Sequence, residues 1–485
     1  MRGLASGGGE IGSFTAGLSQ SGAIALWTVG IALLVGLPGG VATALYEYPL
    51  RPVLLALALL PALIPPFLLS IGWSYLVPQV GGAGACVIVF SSTIAPVVVL
   101  ASYAAARSLP RSLLDAARLA GGDAALVRSA LRHAAPAATL VAGFAGVLTL
   151  SDPGPGQVFG VRTAAAELLV SFAAQYDLDL AARQCLVLSA VVLAASVPLV
   201  WLAVPRLSAA LSARADGDAQ PRRTGGWMWA SAVPLTAIVL VGAVAPLAGL
   251  ARPLVSTSWT TLADQQHAEL VALWVVGEVA RTVVSTAFYA AGAAAVSATL
   301  ALAWTLAVGR ERRLLTLSTA ALLPLLALPS ATVALGLTRL VVLAPDWTDD
   351  LLRGRFAVCL VLGLRFTPLA TLLVLRSYGA TARSWTQAAA LHGVSLPRYL
   401  VRVLLPRMRP AILLAALLVA LLTSADVTPV LLLHPPGQPS LPLAIFTVMA
   451  NAPEHLVAAL CLAYVGLAAG ALAGLWSLAS RVVRA

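Results

Sequence analysis

The chain contains no lysine. Its formal net charge of +11, over 19 acidic residues, is therefore carried by arginine alone. A phosphate-binding loop of the G-x-x-x-x-G-K-[S/T] type needs its lysine to reach the nucleotide phosphates. This sequence cannot supply one, so any ATP-driven role requires a separate ATPase. Charge of either sign is scarce, at 10% of residues, where soluble domains carry about 25%. The four cysteines, Cys86, Cys185, Cys359 and Cys461, are scattered through apolar stretches without a C-x-x-C pair, so no disulfide framework is implied. No H-E-x-x-H or similar metal spacing is present. His133 and His392 fall in arginine-rich loops, His267, His434 and His455 in the opposite ones, and all five read as solvated loop residues. Met1 to Ser21 is rich in glycine and serine and lacks a basic n-region with a small-residue cleavage site, so the first span is expected to be retained.

What the chain has is apolar length. Hydrophobic residues make up 60% of the sequence and the mean hydropathy is +0.93. The apolar runs reach roughly 20 residues, the length of a membrane-crossing helix. Strands of a barrel would instead alternate over about ten residues, and in lipid a helix satisfies its own backbone. The expected class is an all-α polytopic membrane protein with about 11 spans, at approximately 22–46, 53–77, 84–105, 136–151, 183–205, 227–250, 282–308, 314–340, 356–376, 411–433 and 456–480. The fourth is short. Pro38, Pro61, Pro65, Pro66, Pro324 and Pro329 should kink the helices that contain them.

Arginine distribution orients the spans. Alternate loops carry Arg51, the group Arg107 to Arg132, Arg206 to Arg223, Arg310 to Arg313, Arg376 to Arg409, and Arg481 with Arg484. The opposite loops carry Asp152, Glu167, Asp177, Asp179, Asp264, Glu269, Asp346, Asp349, Asp350 and Glu454. The positive-inside rule makes the first set cytoplasmic, with the N-terminus outside and the C-terminus inside. It also accounts for the basic charge without a nucleic-acid partner. Trp73, Trp227, Trp229, Trp259 and Trp347 near span ends read as interfacial anchors.

The sequence repeats internally. Leu59-Leu60-Pro61-Ala62-Leu63-Ile64-Pro65-Pro66 matches Leu322-Leu323-Pro324-Leu325-Leu326-Ala327-Leu328-Pro329. At similar distances downstream stand Asp115-Ala116-Ala117-Arg118-Leu119-Ala120-Gly121 and Gln387-Ala388-Ala389-Ala390-Leu391-His392-Gly393. Both should face the cytoplasm, which makes the repeat parallel rather than inverted. The expected division is a first half at 1–207 with about five spans and a polar loop at 106–135, a cytoplasmic linker at 208–226, and a second half at 227–485 with about six spans and a polar loop at 377–410. The first half reads as if it began part-way through the leading stretch of the second.

These motifs resemble the cytoplasmic signature of bacterial ABC-importer permeases: Glu-Ala-Ala, three residues, Gly, nine residues, Ile-x-Leu-Pro. The second copy fits through Gln387, Ala388, Ala389, Gly393 and Val403-Leu404-Leu405-Pro406, with Gln for Glu and Val for Ile. The first fits through Asp115, Ala116, Ala117, Gly121 and Leu131, but His133 and Ala134 stand where Leu and Pro belong, and Pro136 comes two residues late. Small alanines let a short helix enter a groove, and a glycine ends it by tolerating left-handed backbone. Leu396–Leu405 can then lie along the membrane face with Arg398, Arg402 and Arg407 near lipid headgroups. The resemblance implies that these residues couple the chain to a dimer of ATPase subunits, which would hold ATP and magnesium. It implies also a periplasmic or lipid-anchored solute-binding protein outside, a bacterial inner-membrane location, and no cofactor, metal or catalysis in this chain.

The fused arrangement resembles the permeases for iron(III), thiamine and polyamines. The run Ser424-Ala425-Asp426-Val427-Thr428-Pro429, followed by Pro435-Pro436-Gly437, is most similar to the iron(III) type. Its looser counterpart in the first half is Leu150-Ser151-Asp152-Pro153-Gly154-Pro155-Gly156. Asp152 and Asp426 are thus candidates for the outer mouth or the lining of a translocation path, or else for helix caps at the interface. An ion-coupled secondary transporter should place ionisable groups in the middle of spans. Arg339 and Arg365 are read here as lying near span ends, which disfavours it. An integral-membrane enzyme would need a catalytic cluster, and none is found.

Overall fold

The computed structural model describes residues 3–212, 225–256, 262–343 and 354–484 except 174, 176 and 310, and in addition residues 345 and 348. Among the described residues there is no strand. The helices in chain order are α1 (Gly3–Leu45), α2 (Arg51–Leu63), α3 (Pro66–Leu76), α4 (Gly82–Arg107), α5 (Arg111–Thr149), α6 (Gly154–Val158), α7 (Ala164–Ala173), α8 (Leu178–Ser212), α9 (Gly225–Val239) and α10 (Ala245–Ser256). They continue as α11 (Leu262–Val308), α12 (Arg312–Ala327), α13 (Ser330–Leu343), α14 (Arg355–Ala380), α15 (Arg383–Leu391), α16 (Leu396–Tyr399), α17 (Leu405–Ala425), α18 (Val427–Leu433), α19 (Leu441–Val448) and α20 (Glu454–Arg484). π-helical turns at Leu240–Val244 and Leu400–Leu404 join α9 to α10 and α16 to α17. The middle of the linker, residues 213–224, and Asp346, Trp347, Asp349 and Asp350 lie outside the described residues.

Nine helices among the described residues are long and apolar enough to cross a membrane, and eleven spans result if each of two sharply bent pairs counts as one. The chain is therefore an all-α, multi-pass membrane protein. The bent pairs are α2 with α3, at 101°, and α12 with α13, at 87°. Both bends have one cause. A residue before proline is driven out of the helical region, and Ile64 before Pro65 (φ −91°, ψ 134°) and Leu328 before Pro329 (φ −54°, ψ 138°) are extended. Pro61 and Pro324 stay inside α2 and α12, and Pro38 inside α1, so only the outer proline of each repeated motif breaks its span. The fourth span is not short. α5 runs from Arg111 to Thr149, interrupted only at Gly121 and Gly122.

Packing divides the chain into two compact units. The first comprises Met1–Leu199, Ala215–Arg281 and Ala444–Ala468; the second comprises Val200–Arg214, Thr282–Leu443 and Ala469–Ala485. In the first unit α1 lies along α4 through small residues. A Cβ at Gly36 would fall 2.8 Å from Val98 Cβ, and one at Gly40 would fall 2.4 Å from the Val99 carbonyl. This is the close backbone approach that glycines spaced by four permit in membranes. Ala32, Ile94, Val98, Ala138, Ala142 and Leu235 are buried in the same cluster. α3 crosses α10 at a second glycine contact, where a Cβ at Gly249 would sit 1.8 Å from the Gly72 carbonyl oxygen. Arg252 closes that corner, its Nη1 donating to the carbonyls of Tyr75 at 3.1 Å and Leu76 at 3.2 Å, the open C-terminal end of α3.

The second unit is built on α14. The Ser297 hydroxyl of α11 donates to the Gly363 carbonyl at 2.6 Å, and a Cβ at Gly363 would meet Val296 at 2.7 Å. On another side of α14, Phe366, Ala370 and Val374 bury against Leu404, Met408, Ala415 and Val419. Tyr289, Val358, Cys359, Leu362, Val430 and Leu443 form a further buried cluster.

Gly249→Ala should lower stability by about 1–3 kcal/mol, because its Cβ meets backbone rather than a movable side chain. Gly30→Ala, in open space on α1, should be neutral or slightly stabilising. Thermal unfolding of both variants in detergent checks this, and equal losses would refute the packing argument.

Candidate functional site

The second polar loop folds as a helix, a glycine turn and a returning helix. α15 carries Gln387, Ala388 and Ala389 and ends at Leu391. The Gly393 N–H bonds the Ala390 carbonyl at 3.1 Å and the Val394 N–H bonds the Ala389 carbonyl at 2.9 Å. With φ of +63° at Gly393, this pairing is a Schellman ending, which needs a residue without Cβ at that position. The chain then returns through α16, the π turn and α17 as a continuous rod from Leu396 to Ala425.

Tyr399 anchors this hairpin. It is buried among Val374, Leu404 and Met408 with Ala389 packed alongside, and its hydroxyl lies 3.2 Å from that of Thr386. The other face is open. Gln387 and Ala388 are exposed, and Leu391 and Leu396 are 87% and 66% exposed. Trp385, Ala388, Ala389, His392, Val394, Tyr399 and Val403 line an open apolar pocket of about 360 Å³. Arg398, Arg402, Arg407, Arg409 and Pro406 of the same hairpin are exposed, and residues 377–410 contain no acid. The hairpin thus combines an open apolar hollow with exposed arginines.

The first polar loop has the same order with other details. α5 begins with a short helical stretch bearing Asp115, Ala116 and Ala117, anchored by Leu114 among Val41, Tyr46 and Leu126. Asp115 and Ala116 are exposed and Ala117 is half-buried. The left-handed residue is Gly122 (φ 63°), whereas Gly121 is extended (φ −171°). The sequence motif places the turn on Gly121; the residue that requires glycine is the next one, and the Gly-Gly doublet was its signal. Arg118 Nε lies 3.5 Å from Asp123 Oδ1, bracing the two sides of the turn. Leu119 is 92% exposed. His133, exposed, has its Nε2 3.4 Å from the Ser108 hydroxyl.

Asp152 and Asp426 both sit where a long helix stops. Asp152 follows α5 and accepts the Gly154 N–H on Oδ1 at 2.8 Å, holding the turn into α6. Asp426 follows α17 and is the N-cap residue of α18, its carboxylate beside the Ser330 hydroxyl and the Thr428 N–H. It also has a charged partner that sequence reasoning missed. Arg365 Nε is 2.9 Å from Asp426 Oδ2, with side chains 16% and 13% exposed. Arg365 Nη1 donates to the Leu328 carbonyl at 3.0 Å. Arg365 is not near a span end: it lies in the middle of α14, between Arg355 and Ala380. Arg365, Asp426, Leu328 and Ser330 thus meet at the breaks of two helices. No group of three or more His, Cys, Asp or Glu suited to a metal ion occurs among the described residues.

Comparison of the chain with protein-family models, with curated proteins and with solved structures finds no match.

Gly393→Ala should raise amide exchange at positions 393 and 394 by about 5–30-fold. A left-handed Cβ costs about 1–2 kcal/mol, and those two N–H groups close the turn. Unchanged protection in hydrogen–deuterium exchange would refute the assigned turn.

Proposed function

We propose that the chain is the fused, two-copy permease subunit of a bacterial binding-protein-dependent ABC importer. The observation that carries this reading is the exposed, alanine-bearing helix ended by a glycine turn, present at Arg383–Gly393 and again at Arg111–Gly122. Isolated helices of this length gain nothing from exposing Leu391 and Leu119; a partner that receives them does. The partner is an ATPase dimer that binds ATP and magnesium and performs the hydrolysis. The permease itself carries no covalent chemistry and no cofactor. Closure of the ATPases would pull both hairpins, and the spans would rock between outward- and inward-facing states. A periplasmic or lipid-anchored binding protein would deliver the solute. Iron(III) is the first cargo to test, with thiamine, a polyamine or another small solute as alternatives.

The proposed location is the bacterial inner membrane, N-terminus outside and C-terminus in the cytoplasm. Arginine placement supports counting each bent pair as a crossing. If α2 with α3 returned to its starting side, Arg51 and the group Arg107–Arg132 would lie on opposite faces. The same holds for Arg312 and the group Arg376–Arg409 across α12 with α13. One basic face is the arrangement the positive-inside rule favours.

One observation favours a second reading. A buried arginine–aspartate pair among the spans, Arg365 with Asp426, is what an ion-coupled secondary transporter would use. A single set of proteoliposome experiments separates the two. Reconstituted with a candidate ATPase, binding protein and iron(III), the chain should stimulate ATP hydrolysis when the binding protein is loaded, and Gly393→Trp should abolish the stimulation. Solute uptake by the chain alone, driven by a proton gradient and lost in Asp426→Asn, would replace the importer reading with the secondary transporter.

A further inference from the structure

The Arg365–Asp426 pair joins two helix breaks that nothing in their sequences obliges to meet. The first break is Leu328–Pro329 between α12 and α13, where Leu328 turns its carbonyl onto Arg365 Nη1. The second is Asp426, the single residue between α17 and α18. Arg365 reaches both from α14, and the Ser330 hydroxyl at the start of α13 lies against the same carboxylate. In hydrocarbon, each break exposes backbone groups that water cannot reach. A guanidinium supplies several donors in a rigid fork, so from one helix Arg365 closes the carbonyl at the first break and pairs with the carboxylate at the second.

The corresponding helix of the first unit carries no such cation. α4, like α14 a helix of 26 residues, carries no charged side chain before Arg107 at its end. Ser92 and Thr93, near its middle, return their hydroxyls to the carbonyls of Val89 and Phe90 in their own helix. A mid-helix cation for Asp152 is therefore not available from α4.

We propose that Arg365 and Asp426 form a mechanical tie between the two hinges of the second unit, carrying displacement of the Arg383–Leu404 hairpin to the broken span of α12 and α13. This rests on the hairpin being the coupling element of the proposed importer. The path is continuous. From Leu396 to Ala425 the backbone is one helical rod of 30 residues, about 45 Å long at 1.5 Å per residue. Its lower end is fixed to α15 through Tyr399 and Ala389. Its upper end is Asp426, and the next charged group is Arg365. A hinge that moved alone would leave a charge unpaired in low dielectric, so the two hinges should move together.

The test needs no ATPase, so its failure is separable from failure of the importer reading. Hydrogen–deuterium exchange is followed in the full chain in lipid nanodiscs, at Leu328, Ser330 and Ala331 and at Asp426 to Thr428. Ala389→Trp, in the hairpin, should change exchange at Leu328–Ala331 by about fivefold or more, the low end of an inter-site coupling. In an Arg365→Gln, Asp426→Asn background each break keeps a neutral partner but loses the charge tie, and the same Ala389→Trp change should disappear at Leu328–Ala331 while persisting at the hairpin. Should that background fail to fold, Arg365→Lys alone keeps the charge but not the two-way reach, and should also blunt the response. The proposal is overturned if Ala389→Trp leaves Leu328–Ala331 unchanged in the otherwise native chain. It is equally overturned if the response survives loss of the tie.

Discussion

A helix that breaks inside a hydrocarbon layer exposes carbonyls and N–H groups that no water can satisfy, and the rest of this architecture follows from how each break is closed. Pro65, Pro66 and Pro329 remove N–H groups outright, so the bends they cause leave fewer donors to place. Asp152 takes the Gly154 N–H. Arg252 takes the terminal carbonyls of α3. At the breaks of the second unit the solution is charged, with Arg365 on the Leu328 carbonyl and Asp426 at the head of α18. In a chain with 10% charged residues, such side chains are spent where the backbone cannot serve itself.

The helical class was legible from composition, and the positions of the breaks were legible from proline. Ile64 and Leu328 leave the helical region because proline follows each of them. The glycine that ends α15 was equally readable, since a Schellman ending demands a residue without Cβ at one position and Gly393 occupies it. Other features depend on three dimensions. That Gly122 and not Gly121 takes the positive φ is not contained in the spacing of the motif. Arg365 was misjudged although the expected span 356–376 already placed it near the centre; what was not legible was its partner. Its partner lies 61 residues away, and only the meeting of two breaks brings them within 2.9 Å. The grouping of Ala215–Arg281 with the N-terminal spans is another matter of packing, set by contacts such as Gly72 on Gly249.

The two glycine-turned hairpins differ in how they are held. The second is fixed by a large aromatic, Tyr399, inside an apolar cluster, and it opens a hollow on its free side. The first is fixed by Leu114 and braced across its turn by Arg118 and Asp123, a partly exposed pair worth little in free energy.

Buried ion pairs seldom repay their desolvation, and well-packed apolar residues often replace them without loss. That argument assumes the backbone around the pair is already satisfied. Here it is not: methionine and leucine at 365 and 426 would leave the Leu328 carbonyl without its donor. The pair is therefore required as long as the breaks are, and the question of function becomes why a span should break at all. Discontinuous helices place their open ends, with directed carbonyls and N–H groups, at membrane depth, where an unbroken helix offers only side chains. In the second unit those ends are turned on Arg365, so the two breaks are held to each other from a single helix.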